Sequence, residues 1–322
     1  MEKLKLSLLQ KWELPEQYSF VHSSALLSDG RVLILTSETD DSDKYCVLVL
    51  SSSDIKKIEI CNCSEDRRNY PVLFRFEEGF GIIKKGQQCE YYTGDFSSPE
   101  RLSIKNGDSV LQNIVPKKAQ QRYFQVTSDS SLIPVCFENN VYYGDARCFA
   151  LLEFDITKKY AEWKSFSNID KKAFTHRDDR RDETPKIDSL KIANREIYAF
   201  LSGESTTSVN KWGMDYYALA KISADGTVVE KFLESDNLKQ SSKKGGVNGV
   251  FTDSDYVVMT PLFKTDEWKG KQKLFSLTVR KYFDIGLPRG VSKHKVQNIS
   301  GDSCITSLYN RGLKEVALCK IG

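Results

Sequence analysis

Residues 21–60 read VHSSALLSDGRVLILTSETDDSDKYCVLVLSSSDIKKIEI. The stretch predicts four short extended segments, at 21–27, 31–37, 45–51 and 56–60, with joints at 28–30, 40–43 and 52–54. Val, Ile, Leu, Tyr and Thr dominate the segments, while Gly, Asp and Ser dominate the joints, which is the chemistry of strands and turns. Asp29-Gly30 tolerates the positive φ that a tight hairpin needs. Residues 31–35 (RVLIL) and 46–50 (CVLVL) are nearly continuous apolar runs, so both of their faces should be covered. Residues 56–60 (KKIEI) alternate and should meet water on one side. A lone sheet of this profile would expose its apolar faces, so the unit calls for neighbours.

Looser copies follow along the chain. The second unit runs through 72–76, 80–84, 90–92 and 101–104. The third has segments at 110–115, 123–127, 148–154 and 160–166, with an insertion at 128–147 whose 135–137 and 141–143 could form their own hairpin around Asn139-Asn140. The fourth occupies 187–192, 196–201, 215–222 and 227–233; the fifth occupies 247–252, 256–263, 273–279 and 283–287. The last has only 303–309 and 313–321. Units therefore open near residues 21, 72, 110, 187, 247 and 303. Half a unit would leave an open sheet edge. Residues 3–14, whose Leu4, Leu6, Leu8, Trp12 and Leu14 follow a period of two with a slip at Leu9, are the strand material to complete it; Leu4, Leu8 and Trp12 also fit a helix face.

In this pattern the chain resembles the β-propeller superfamily. The resemblance spans the whole chain and rests on pattern. No Trp-Asp/Gly-His pair, diglycine kelch signature or S-x-D-x-G-x-T-W box is present. It implies an all-β, single-domain propeller over residues 1–322, of six blades, closed by pairing of the N-terminal strand with the C-terminal blade. A seven-bladed count, with a blade hidden in 116–166, and a pair of β-sandwiches are the alternatives.

Across 322 residues, 47 Lys and Arg balance 44 Asp and Glu, leaving a net charge of +3. That balance argues against a dedicated nucleic-acid binder, which carries a strong basic excess. The first fourteen residues, MEKLKLSLLQKWEL, lack the apolar core of a signal peptide, and no apolar run reaches the roughly 18 residues of a membrane span. The expectation is a cytoplasmic monomer. The cysteines at 46, 61, 63, 89, 136, 148, 304 and 319 sit mostly in apolar strand patterns and read as reduced core residues.

No chemical motif stands out. His22, at the opening of a first strand, could line a central channel together with Asp188, Asn248, Asp302, Arg68 and Gln112; as a catalytic set this would be His22, Asp188 and Asp302. The bland reading of His22 is a strand-end histidine bonded to backbone. Cys61-Asn62-Cys63 lacks the second cysteine pair of a structural zinc site, and Asp40-Asp41-Ser42-Asp43 lacks the rest of a calcium loop, so no metal and no cofactor is expected. Gly245-Gly246-Val247-Asn248-Gly249 lacks the Lys-Ser/Thr of a phosphate loop and reads as an inter-blade turn. The polar stretch 167–186 carries Arg177, Asp178, Asp179, Arg180 and Arg181. As a long loop on a rigid scaffold it is a candidate partner surface, with a solvated loop as its plain alternative. Trp268, within the polar tip KTDEWKGK, and Trp212 read as exposed anchors for the same partner. The expectation is a non-enzymatic propeller that binds one protein partner, of immunity or adaptor type, without nucleic acid or membrane. A hydrolase or lyase with a channel site, able to hold a metal, and a carbohydrate- or small-ligand-binding propeller are the alternatives.

Overall fold

A computed structural model describes residues 2–15, 17–38, 44–60, 71–84, 88–106, 119–121, 126–128, 131–139, 147–168, 186–203, 216–234, 246–262 and 268–322. Among these residues every regular element is a β-strand. By its contacts the chain divides into two compact units: Met1–Ser103, Thr252–Val258 and Leu274–Gly322 form the first, and Ile104–Phe251 and Met259–Lys273 the second.

The first unit begins with β1 (Lys3–Glu13). Next come β2 (Ser23–Leu26), β3 (Val32–Ser37), β4 (Tyr45–Leu50) and β5 (Ile55–Ile60), one antiparallel sheet in chain order. Gly30, at φ +88°, takes the left-handed turn between β2 and β3. The continuous apolar runs behave as their composition requires. From β3 and β4, Leu33, Leu35, Val47 and Val49 pack with Leu73, Phe80, Ile82 and Tyr92 of the next sheet. The opposite face, Val32, Ile34, Cys46 and Leu48, packs with Trp12, Leu14, Ile305, Leu313 and Val316. Each such aliphatic side chain contributes about 1.5–3 kcal/mol when buried, so these faces decide how the sheet is flanked.

The next sheet is β6 (Val72–Phe76), β7 (Gly79–Lys84), β8 (Gln88–Thr93) and β9 (Glu100–Ser103), again antiparallel in chain order. Gly81 has no freedom to carry a side chain, because a Cβ there would lie 2.1 Å from the Phe74 ring.

In the second unit, β10 (Ala119–Gln121), β12 (Leu132–Asn139), β13 (Arg147–Asp155) and β14 (Tyr160–Asn168) form one sheet. β11 (Val126–Ser128) instead runs parallel to β15 (Lys186–Ala193), at the edge of the sheet continued by β16 (Glu196–Gly203), β17 (Tyr216–Ile222) and β18 (Val228–Glu234). This corrects the reading of 135–137 as part of an inserted hairpin and of 123–127 as a second strand. Val135, Cys136 and Phe137 are fully buried within β12, which pairs with β13 along its length, because the longer apolar run wins the central position. Among the described residues β10 pairs only with Phe137–Asn139, so no described ladder partner meets Pro134 on that flank. Residues 110–115 and 141–143 lie outside the described residues. β19 (Val247–Phe251) also belongs to this unit. Gly249 is therefore a strand residue and not a turn residue: the Phe200 ring occupies the place of its missing side chain, and Ser189 Oγ donates to its carbonyl at 2.9 Å.

The remaining strands are β20 (Tyr256–Pro261), β21 (Lys273–Ser276), β22 (Tyr282–Gly286), β23 (Lys295–Ser300), β24 (Ser303–Tyr309) and β25 (Leu313–Ile321). β23 was not anticipated, so the C-terminal sheet opens at Lys295 and residues 303–309 form its second strand. In sheet order β1 lies between β22 and β25. Lys3, Leu4 and Lys5 pair parallel with Asp284, Ile285 and Gly286. Leu6–Glu13 then pairs antiparallel with β25, with a bulge between Leu8 and Gln10. Trp12 Nε1 and Gln10 Nε2 donate to the Ser51 carbonyl at 2.6 and 3.1 Å, tying β1 to the turn after β4. Four-stranded antiparallel meanders in succession, the C-terminal one completed by the N-terminal strand, make this chain a β-propeller, as the pattern of residues 21–60 and 3–14 led us to expect.

Candidate functional site

The expected histidine site is not assembled in the first unit. His22 does stand at the opening of β2, but its side chain is 7% exposed, between the rings of Phe20 (4.2 Å) and Tyr45 (5.2 Å). Its Nε2 is 3.0 Å from Ser37 Oγ, and burial pulls its pKa down to about 3. It is a neutral core side chain. Asp302 lies in the turn between β23 and β24, because β23 precedes it, and reaches Lys320 at 3.4 Å on the surface. It is thus not at a first-strand opening. In the second unit Asp188 occupies the irregularity between Ile187 and Ser189 of β15 and accepts from Ser202 Oγ at 3.0 Å. Asn248 is a half-buried residue within β19. Trp268 overturns its reading as an exposed anchor: its side chain is 1% exposed, with Lys273 Nζ 4.7 Å from its ring centroid. The lysine ammonium covers the aromatic face, so a tryptophan in a polar-looking tip becomes core. Arg177, Asp178, Asp179, Arg180, Arg181, Trp212, Arg68 and Gln112 lie outside the described residues.

Two polar constellations were not anticipated. The first joins β2, β6 and β23 of the first unit through Asp253. Asn298 of β23 donates from Nδ2 to the Ser24 carbonyl of β2 at 2.8 Å and to Asp253 Oδ2 at 3.0 Å, while its Oδ1 accepts from the Asp253 amide at 3.0 Å. Arg75 of β6 brings its Nε to 3.4 Å from the same Asp253 oxygen. Ser24 Oγ, buried beside them, has no hydrogen-bond partner among the described residues.

The second lines a cleft of about 320 Å³ between β5 and the β8–β9 hairpin. Its core is Glu90, whose side chain is 5% exposed. Antiparallel register sets Glu90 directly opposite Arg101, and Lys84 lies diagonally across from it on β7. Lys84 Nζ meets Glu90 Oε2 at 2.6 Å, and Arg101 Nε donates to Oε1 at 3.0 Å. Burying these charges is tolerable only because they are paired. Arg101 nevertheless remains 71% exposed. Ile58, Tyr92, Phe96 and Pro99 supply the apolar lining, and Lys56, Lys57 and Glu59 the rim.

The far wall is set by an unusual turn. Gly94 and Phe96 both take positive φ, +62° and +58°. For Phe this conformation costs about 1–2 kcal/mol. The ring offsets it by packing edge-on to Phe80 at 5.1 Å, itself stacked on Tyr92 at 4.7 Å, with the Arg31 guanidinium 4.1 Å above its face. Lys56 Nζ donates to the Asp95 carbonyl at 2.5 Å, fixing the turn to β5. The Ser97 hydrogen bonds hold the Asp95 carboxyl below its usual range. The sequence signal for this site was a charge beside apolar residues: Lys84 ends GFGIIK and Glu90 interrupts QCEYYT.

No protein-family model matches the chain, and no curated protein does. Solved structures are similar over almost all of it. A protein of unknown function from Dyadobacter fermentans is 8% identical, with 98% of this chain and 99% of that chain covered and a TM-score of 0.52, and shares the fold. BamB from Moraxella catarrhalis is 10% identical, with 98% and 99% covered and a TM-score of 0.44. The β-propeller domain of the trilobed protease from Pyrococcus furiosus is 10% identical, with 91% and 80% covered and a TM-score of 0.46.

Proposed function

We propose that this protein is a non-enzymatic propeller that binds one protein partner, in the manner of an immunity or adaptor protein. The observation that carries the reading is the cleft between β5 and the β8–β9 hairpin, whose lining brings exposed Arg101 together with Tyr92 and Phe96, two rings fixed by their packing on Phe80. Rigid aromatic and arginine groups in one concave site are the features of protein-contact hot spots. His22 lends no support to a channel base, since it is enclosed and bonded to Ser37.

The same proposal includes six blades, a monomer in isolation and a cytoplasmic setting. It keeps the stretch with Arg177, Asp178, Asp179, Arg180 and Arg181, together with Trp212, as a further part of the partner surface. A quantitative pull-down from native lysate tests it, with the intact chain beside a variant in which residues 170–183 are replaced by Gly and Ser, folding of both checked by circular dichroism. A stoichiometric protein partner is expected with the intact chain. Loss of that partner in the variant would place part of the contact in that stretch. An intact chain that retains no protein would sink the reading, and a channel hydrolase or lyase would be the next to examine.

A further inference from the structure

We infer that the exposed face formed by β1 and the segment after β22 docks on an anionic lipid surface. The inference goes beyond the protein-binding reading and leaves it in place. It starts from a pair of side chains. Among the exposed large hydrophobic residues described, only Leu8 and Leu9, at 41% and 55%, adjoin in sequence. They stand at the bulge of β1, where the ladder to β25 slips between Leu8 and Gln10.

Cations flank the pair. Lys3–Lys5 pairs with Asp284–Gly286, and the Lys3 stem fills the side-chain place of Gly286, its Cε 2.7 Å from where a Cβ would stand. From there the chain runs on to Gly290, where a Cβ would lie 3.7 Å from Leu8 Cδ2. Residues 286–290 therefore follow β1 from its lysines to its leucines. Lys3, Lys5, Arg289, Lys293 and Lys295 are all exposed, and none forms an ion pair among the described residues. The acids in residues 2–9 and 284–295 are Glu2 and Asp284 alone. Lys11 differs, being matched by Glu13 and Glu315 at 3.7 and 3.5 Å.

The residue types choose the occupant. Protein hot spots favour Trp, Tyr and Arg and are poor in Leu and Lys, whereas aliphatic side chains beside lysines suit acyl chains under anionic headgroups. A second copy would set these cations against themselves across a twofold axis. Single-stranded nucleic acid is held by aromatic stacking, and the two stretches contain no Phe, Tyr or Trp. The sequence expectation of no membrane rested on the lack of a spanning segment, which a peripheral contact does not need.

Vesicle co-sedimentation of the full chain is the test, with phosphatidylcholine vesicles beside vesicles holding about a third phosphatidylserine. The parent should sediment with the anionic vesicles only and be released by high salt. Arg289→Ala with Lys293→Ala should weaken binding about tenfold or more, as two cations leave the surface. Leu9→Ser should weaken it too while keeping the salt dependence. Lys105→Ala with Lys158→Ala, the same loss of charge at exposed positions of the second unit, should change it little. Circular dichroism checks the folding of each variant. A parent that stays off anionic vesicles overturns the inference. Equal losses in the two double variants overturn it by making net charge the cause, and a Leu9→Ser chain that binds as the parent does removes its apolar half and overturns it as well. If instead the Arg289 and Lys293 variant loses a lysate protein and keeps its vesicle binding, the face belongs to an acidic protein and the lipid reading falls.

Discussion

His22 is held neutral by enclosure, and this has a consequence in solution. A histidine whose folded pKa is about 3, against 6.5 when unfolded, binds its proton in the unfolded state first. Its contribution is therefore fully present above about pH 6.5 and is lost as the pH falls toward 3, with a slope of about 1.4 kcal/mol per pH unit in that window. His294, bonded to Thr306 and Glu315, is also pulled below its ordinary value by burial and loses stability in the same direction. Urea unfolding of the parent chain and His22→Phe between pH 7 and pH 4 separates the two: the variant should show the shallower dependence, and parallel curves would show that His22 is not enclosed. The Asp253 constellation gives a matched pair. Asp253→Ala removes the acceptor of Asn298 and Arg75 and should cost about 2 kcal/mol, whereas Ser24→Ala deletes a hydroxyl that bonds nothing among the described residues and should cost nothing. Equal losses in urea midpoints would refute the assignment. None of these three residues was legible as a group. Ser24, Asp253 and Asn298 are separated in sequence and meet only through the tertiary hydrogen bonds of Asn298. Trp268 misled for a related reason: it stands in the polar tip KTDEWKGK, and the cation that covers its ring, Lys273, comes from the strand that follows.

Strands announce themselves by apolar runs and by the joints between them, and where both were strong the reading held. β3 and β4, with Gly30 before them and the Ser51–Asp54 turn after, lie where the composition of residues 21–60 put them. It failed where a run was broken by polar residues. β23 reads KVQNIS, and its Asn298 is wholly buried only because Asp253 and Ser24 satisfy it. β12 was passed over because Asn139-Asn140 suggested a hairpin within an insertion. The cysteines offer a check on these central strands. Cys46, Cys89, Cys136, Cys304 and Cys319 are buried free thiols, one each in β4, β8, β12, β24 and β25. Burial raises the thiol pKa, to about 12 at Cys46, so the reactive thiolate is scarce as well as inaccessible. Iodoacetamide at pH 8 followed by peptide mass mapping should leave these five unmodified in the native chain and label them in urea. Native labelling of Cys136 would mean that β12 is not the central strand described.

At the scale of the whole molecule, β1 carries the most consequence per residue. It pairs with β22 through three residues and with β25 through the rest, and its Trp12, with Leu14 just after it, enters the apolar face that also holds β3 and β4. Removing it uncovers the ladder edge of β25 and opens the apolar cluster around Ile305 and Val316. An exposed, largely apolar strand edge templates pairing with other chains. A chain lacking residues 2–14 should therefore elute as oligomers or precipitate, while the parent remains in solution. Because the missing contacts are those of one strand, a synthetic peptide of residues 2–15 added in excess should restore the parent elution volume and near-ultraviolet circular dichroism. The same peptide with Trp12→Ala and Leu14→Ala should restore much less, since it can make the ladder without filling the cluster. If the shortened chain keeps the elution and melting temperature of the parent, β1 does not complete the C-terminal sheet, and the strand order on which the propeller assignment rests is wrong.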